Sequence, residues 1–228
     1  MVSEEDKAKT ELEKPPIKAV IFDFDGLLVD TEPVWDKTYY VFLKNHNIVP
    51  NEEVEDQMFG SGLTEAVQLM IDKMGLKGGI SELVSDYRKL FYEEFLKRKD
   101  VVMPGAMQLL RTLQDKDVII SLTFGGHTKL KLMEILKSHG ILDFFTAIVS
   151  SDDVAHGKPA PDVYIEACRE LQLRLEFCIA LEDSPNGIEA AKAAGVRVYG
   201  VNKDEKIRAE LARVGADRVF SSLNEVDL

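Results

Sequence analysis

Two hydrophobic rhythms alternate along this chain. Short unbroken apolar runs recur: KAVIFD at 18–23, VIISLT at 118–123, TAIVS at 146–150, CIALE at 178–182, VRVYG at 196–200 and DRVF at 217–220. Apart from the first pair, each is separated from the next by a stretch whose apolar positions recur at helical spacing, such as TKLKLMEILKSHG and PDVYIEACRELQL. Runs of this kind read as strands buried on both faces, and their alternation with helices predicts a parallel sheet. Right-handed crossovers then give a doubly wound α/β core.

The first interval breaks the rhythm. Between Asp30 and Pro104 the patterns are helical: EPVWDKTYYVFLKNH, LTEAVQLMIDKMG and SELVSDYRKLFYEEFLKRK. They predict an all-helical insert over 32–103, placed straight after the first strand. The core then comprises 17–31 and 104–228, resuming at MPGAMQLLRTL, and residues 1–16 read as a flexible polar tail ending at Pro15-Pro16.

Composition narrows the function. The 228 residues suffice for a core with a smaller insert. A formal net charge of −12 argues against nonspecific binding to nucleic acid or an anionic membrane. No apolar run approaches the roughly 20 residues of a membrane helix. The acid-containing start MVSEEDKAKTELEK is neither a secretory signal nor a typical transit peptide. Cys168 and Cys178 lack metal-ligand spacing and fall in a predicted helix and strand, as reduced structural thiols of a cytoplasmic protein would.

The candidate chemistry lies where strands end. In VIFDFDGLLVD, Asp23 and Asp25 follow an apolar run, share one side of the strand, and precede a glycine that lets the chain turn. Two carboxylates this close call for a cation between them or a shared proton, and magnesium suits an all-oxygen site. A hydrated turn would carry the same residues. Thr123 ends a second strand before FGGHT, where a hydroxyl and backbone N–H groups could cradle phosphate or the Thr could cap a helix. Lys158 in HGKPAPDVY could offer a point charge to phosphate or lie on the surface. Glu182 and Asp183 end the strand CIALE; Asp183 could hold a cation or cap the following helix. Four strand-end segments bearing a carboxylate pair, a hydroxyl, a cation and a second acid pair are hard to explain separately.

In this order DFDGLLVDTE, the Thr of SLT, the Lys of GKPAPD and LEDSPNG resemble the four motifs of the haloacid dehalogenase superfamily, in its phosphatase and phosphomutase branch with a helical cap. The resemblance covers nearly the whole chain after residue 16. It implies a Rossmann-like core and a magnesium-dependent phosphatase acting on a small phosphorylated metabolite, such as a sugar phosphate or nucleoside monophosphate. By resemblance Asp23 is the nucleophile, forming an aspartyl-phosphate, and Asp25 the general acid and base. Mg2+ would be held by Asp23, the backbone carbonyl of Asp25 and Asp183, with Glu182 acting through water. Thr123, Phe124, Gly125 and Lys158 would hold the phosphoryl group, and the insert would close over it as a lid hinged near Asp30-Thr31 and Met103-Pro104.

The chain departs from the family pattern after Thr123, where relatives often carry Ser-Ser and Phe124-Gly125-Gly126-His127 stands here. His127 could reach the phosphate or leaving group, or be a surface residue at a helix start. A β-phosphoglucomutase-like mutase is the alternative; Gly62, Leu63 and Trp35 stand where that group tends to show Ser, Arg and His, which disfavours it. Asp25 argues against a dehalogenase, and a non-catalytic protein on this scaffold would need a loss the sequence does not show. Trp35, Met58-Phe59-Gly60 and Thr64 are candidate substrate contacts, with packing the competing role for Trp35 and Phe59. A monomer is expected.

Overall fold

The computed structural model describes residues 15–58 and 63–228. Most of the N-terminal tail, and Phe59, Gly60 and Gly62 of the insert, lie outside the described residues. Strand β1 (Ala19–Asp23) is followed by helices α1 (Glu32–Asn45), α2 (Glu52–Met58), α3 (Leu63–Met74) and α4 (Ile80–Lys97). The chain then alternates: α5 (Ala106–Asp115), β2 (Ile119–Phe124), α6 (Lys129–Ser138), β3 (Ala147–Ser150), α7 (Asp162–Glu170), β4 (Cys178–Glu182), α8 (Pro185–Ala194), β5 (Arg197–Val201), α9 (Glu205–Arg213) and β6 (Arg218–Phe220).

Among the described residues the strands form one six-stranded sheet in the order β3-β2-β1-β4-β5-β6, with every neighbouring pair parallel. This is the α/β architecture the strand rhythm predicts. Ala19, Val20, Ile21 and Phe22 are wholly buried, so β1 is covered on both faces. Ala19 and Ile21 pack with Ala180 and Val198 against Val163, Tyr164, Ala167 and Cys168 of α7 and Ile188, Ala190 and Ala191 of α8. Asp23 continues the parity of Ala19 and Ile21 and emerges on the side those helices cover. The strand order reverses between β1 and β4, so their carboxyl ends flank the crevice where open α/β sheets bind ligands. Cys168 and Cys178 are free thiols buried in this core.

Residues 30–101 form a second compact unit, and the chain before and after them forms the first. The core of the second unit joins Tyr39, Phe42 and Leu43 of α1, Val67 and Met70 of α3, and Leu83 and Tyr87 of α4. Trp35 stacks on Phe91 with ring centroids 3.9 Å apart, and Thr64 is exposed. No sequence pattern announced α2. Among its described side chains only Val54 is buried, too little for an apolar period, and Asn51 starts it by accepting the Glu53 N–H at 3.0 Å. No helix among the described residues is long and apolar enough to cross a membrane.

Candidate active site

The sheet register brings the candidate residues together. Asp23 at the end of β1 is paired with Thr123 of β2 on one side, and Phe22 is level with Leu181 of β4 on the other, so Glu182 and Asp183 emerge beside Asp23. Carboxylate oxygens of Asp23, Glu182 and Asp183 all lie within 4.8 Å of one another. Lys158 reaches in from the loop before α7, where the Lys158-Pro159 peptide is cis. Its ammonium donates to Asp23 Oδ1 at 2.6 Å and to Glu182 Oε1 at 2.5 Å. Lys158 is therefore no ordinary surface lysine; its side chain is only 15% exposed.

Glu182 is wholly buried and has its donors around it. Besides Lys158 it accepts from the Tyr164 hydroxyl and, at 3.4 Å, from Ser184 Oγ. Gly187 of α8 packs directly on this carboxylate, and any Cβ there would run into it. Asp183 is not the helix cap. Ser184 caps α8, accepting the Gly187 N–H at 3.2 Å, while Asn202 Nδ2 donates to the Asp183 carbonyl at 3.2 Å. The Asp183 side chain presses on Gly26, whose φ of +76° and missing Cβ both serve this turn.

Crowding of acids sets the electrostatics. Burial raises the Asp23 carboxyl to about 7; Lys158 opposes the rise and Glu182 adds to it. Burial, then Asp23 and Glu182, push Asp183 well above the ordinary carboxylate range. Burial works against the Lys158 charge, but Asp23 and Glu182 outweigh it and hold its pKa well above the usual lysine value. Ionising all three acids beside one ammonium would leave negative charge uncompensated, and the raised Asp23 and Asp183 carboxyls reflect that cost. Their oxygen-only, hard donor set fits a divalent cation.

Thr123, Phe124, Gly125 and Asp25 surround the same strand ends. Thr123 is wholly buried and its hydroxyl donates to the Phe22 carbonyl at 3.3 Å. The cap of α6 is Thr128, which accepts the Lys131 N–H at 3.4 Å, five residues beyond Thr123. The Phe124 side chain is wholly buried, so only its backbone could meet a ligand, and Gly125 is half-buried beside Ser151. Asp25 lies just past the strand, bridged to Val29, with its side chain 37% exposed. His127 is no surface residue: its side chain is 4% exposed, and Nε2 lies 3.2 Å from both carboxylate oxygens of Asp25.

Sequence reasoning missed Tyr164, Asn202 and Ser184. Tyr164 looked like one more apolar position of α7, yet a buried Tyr needs a partner for its hydroxyl, and this was the available signal. Asn202 acts through the Asp183 carbonyl and carried none, whereas Ser184 before Pro185 has the form of a helix N-cap. Elsewhere among the described residues, a depression of about 560 Å³ lined by Ile165, Cys168, Arg169, Leu173 and Arg174 lies toward the start of β4, away from the carboxylates.

The crevice at the carboxyl ends of β1 and β4 thus holds buried acids bound to one lysine. The chain belongs to the haloacid dehalogenase-like hydrolase family, whose pattern matches residues 20–201. It is 31% identical to (DL)-glycerol-3-phosphatase 1, mitochondrial, of Arabidopsis thaliana, over 94% of this chain and 73% of that one. It is 29% identical to a phosphorylated carbohydrates phosphatase of Thermotoga maritima, over 92% of this chain and all of that one. A Thermotoga maritima structure provisionally designated a beta-phosphoglucomutase superposes with a TM-score of 0.84 at 25% identity, covering 92% of this chain and 96% of that one.

Proposed function

We propose that the protein is a magnesium-dependent phosphatase of small phosphomonoesters, sugar phosphates or nucleoside monophosphates, working through an aspartyl-phosphate on Asp23. The observation that carries this reading is the meeting of Asp23, Lys158, Glu182 and Asp183 at the carboxyl ends of β1 and β4. Similarity to phosphatases of glycerol phosphate and of phosphorylated carbohydrates supports the substrate class.

The chemistry divides into two displacements. In the first, an Asp23 carboxylate oxygen bonds to phosphorus while the bond to the leaving oxygen breaks; Asp25 gives that oxygen its proton. In the second, Asp25 takes a proton from water, the water oxygen bonds to phosphorus, and the bond to Asp23 breaks. Asp23 and Asp183, with the backbone carbonyl of Asp25, are the residues to hold Mg2+. Mg2+ held there would supply positive charge to offset the crowded carboxylates and the phosphate. Lys158 stays charged beside Asp23 and meets a phosphoryl oxygen, while Glu182 and Tyr164 fix its ammonium. Phe124 and Gly125 are the residues whose backbone N–H groups would hold the phosphoryl oxygens beside Lys158, and the Thr123 hydroxyl ties the end of β2 to β1.

A phosphomutase shares the first displacement, and the likeness to the beta-phosphoglucomutase-designated structure keeps it as the second reading. Gly62 and Leu63 in the places of the mutase Ser and Arg weigh against it. The test is phosphate release from a panel of glycerol 3-phosphate, hexose 6-phosphates, nucleoside monophosphates and phosphoglycolate, with Mg2+ or with chelator. Release that needs Mg2+ supports the phosphatase. Conversion of β-glucose 1-phosphate to the 6-phosphate, with a bisphosphate primer and little release, would replace it with the mutase.

A further inference from the structure

His127 holds a position that the two-carboxylate chemistry leaves unused. It ends the loop between β2 and α6, next to Gly126 at φ +73° and the cap residue Thr128. The wholly buried Phe24 meets its ring edge to face, at 5.7 Å between centroids and 88° between planes. The imidazole is thereby oriented before any ligand arrives. Its Nε2 is 3.2 Å from each oxygen of the Asp25 carboxylate, which is itself 37% exposed. An aspartate so exposed would otherwise exchange among staggered rotamers, and a proton donor that wanders loses the advantage of proximity.

We propose that His127 is a positioning residue for Asp25: its Nε2–H donates to the Asp25 carboxylate and fixes the rotamer from which Asp25 passes its proton to the leaving oxygen. This rests on the phosphatase reading of Asp25. His127 need not touch substrate; it spends one N–H on aiming the acid. Asp25 keeps the oxygen lone pair or proton that faces the substrate, and the departing alcohol takes its proton from Asp25 alone.

The role is readable by leaving group. An alkyl alkoxide leaves only with a proton, whereas nitrophenolate leaves without one, so kcat/KM on 4-nitrophenyl phosphate is insensitive to the aim of Asp25. His127→Leu keeps volume and removes the donor; His127→Gln keeps an N–H at a similar reach. With Mg2+, His127→Leu is expected to lower kcat/KM about 10- to 100-fold on glycerol 3-phosphate, or on the best alkyl phosphate of the panel, and under about threefold on 4-nitrophenyl phosphate. His127→Gln should restore most of the alkyl rate. Equal losses on both probes would overturn the role. A second readout needs no turnover: long-range 1H–15N spectra of the 15N-histidine-labelled chain should show His127 as the Nε2–H tautomer, with signals that move in Asp25→Ala. A Nδ1–H tautomer, or signals indifferent to Asp25→Ala, would overturn it as well. Absence of Mg2+-dependent release by the unaltered protein would instead strike the phosphatase reading, leaving the spectrum to decide the contact.

Discussion

The Lys158 ammonium lies 2.6 Å from Oδ1 of Asp23, although 135 residues separate them in the chain. A parallel sheet makes the meeting possible, because it delivers the ends of β1 and β4 to one rim and lets the loop before α7 cross over them. The pair is largely buried, with side-chain exposures of 15% and 11%, so its charges interact with little screening by water. Among the described residues Lys158 is the one cation bonded to these acids, and this makes it a sensitive point.

Lys158→Met leaves Asp23 and Glu182 buried without their common donor. Breaking a buried pair from one side costs about 3–5 kcal/mol. The expected outcome is a lower denaturant midpoint and loss of phosphate release, with no rescue by Lys158→Arg, whose planar fork does not fit a point-charge position. Equilibrium urea unfolding beside a turnover assay checks both parts.

Tyr164→Phe tests the hydroxyl on Glu182 with almost no change of shape. Glu182 would keep Lys158 and Ser184 but lose one buried donor. A loss of about 1–3 kcal/mol in stability is expected. An unchanged unfolding midpoint in Tyr164→Phe would mean that the remaining donors satisfy the carboxylate.

Stability should depend on pH in a direction opposite to the common case of salt-bridged acids. Folding raises Asp23 from 3.8 to about 7, and Asp183 moves the same way. The folded chain therefore binds more protons than the unfolded one between these values, and its stability falls as pH rises from about 4 to about 7. Metal-free protein in chelator should unfold at lower urea near pH 7.5 than near pH 5. Millimolar Mg2+ should raise the midpoint chiefly at the higher pH, since it binds the ionised acids. Identical Mg2+ effects at both values would contradict the assignment.

Gly26→Ala places a methyl group in the space of the Asp183 carboxylate, at a φ of +76° that alanine resists. Displacing Asp183 should raise the Mg2+ concentration for half-maximal activity about tenfold or more. A magnesium titration of phosphate release reads this directly.

Much of the fold was legible because strands buried on both faces leave unbroken apolar runs. CIALE coincides with β4 as drawn from the sequence, and the other strands shift by about one residue at their ends, as hydrogen-bonded edges do. Helix α2 was not legible, because a short acidic helix with one buried valine has no period to read. The site was legible as a set of residue types at strand ends, but not as contacts. Lys158 and Asp183 each had an ordinary alternative, surface exposure for one and helix capping for the other. Only the register that juxtaposes β1 and β4, and the capping of α8 by Ser184, set those aside. His127 was opaque for the opposite reason: FGGH reads as a flexible exposed loop, and the packing of Phe24 that buries it is not a local property.

The most direct test concerns Asp23 itself. The protein would be mixed with a 32P-labelled phosphomonoester from the panel and Mg2+, quenched in acid within the first turnovers, and digested for mass spectrometry. The expected result is label on the peptide that contains Asp23, formed and lost at rates compatible with turnover. It should be absent in Asp23→Asn, which should stay folded while releasing no phosphate. Steady phosphate release with no label on the protein, or label on another residue, would contradict Asp23 as the nucleophile.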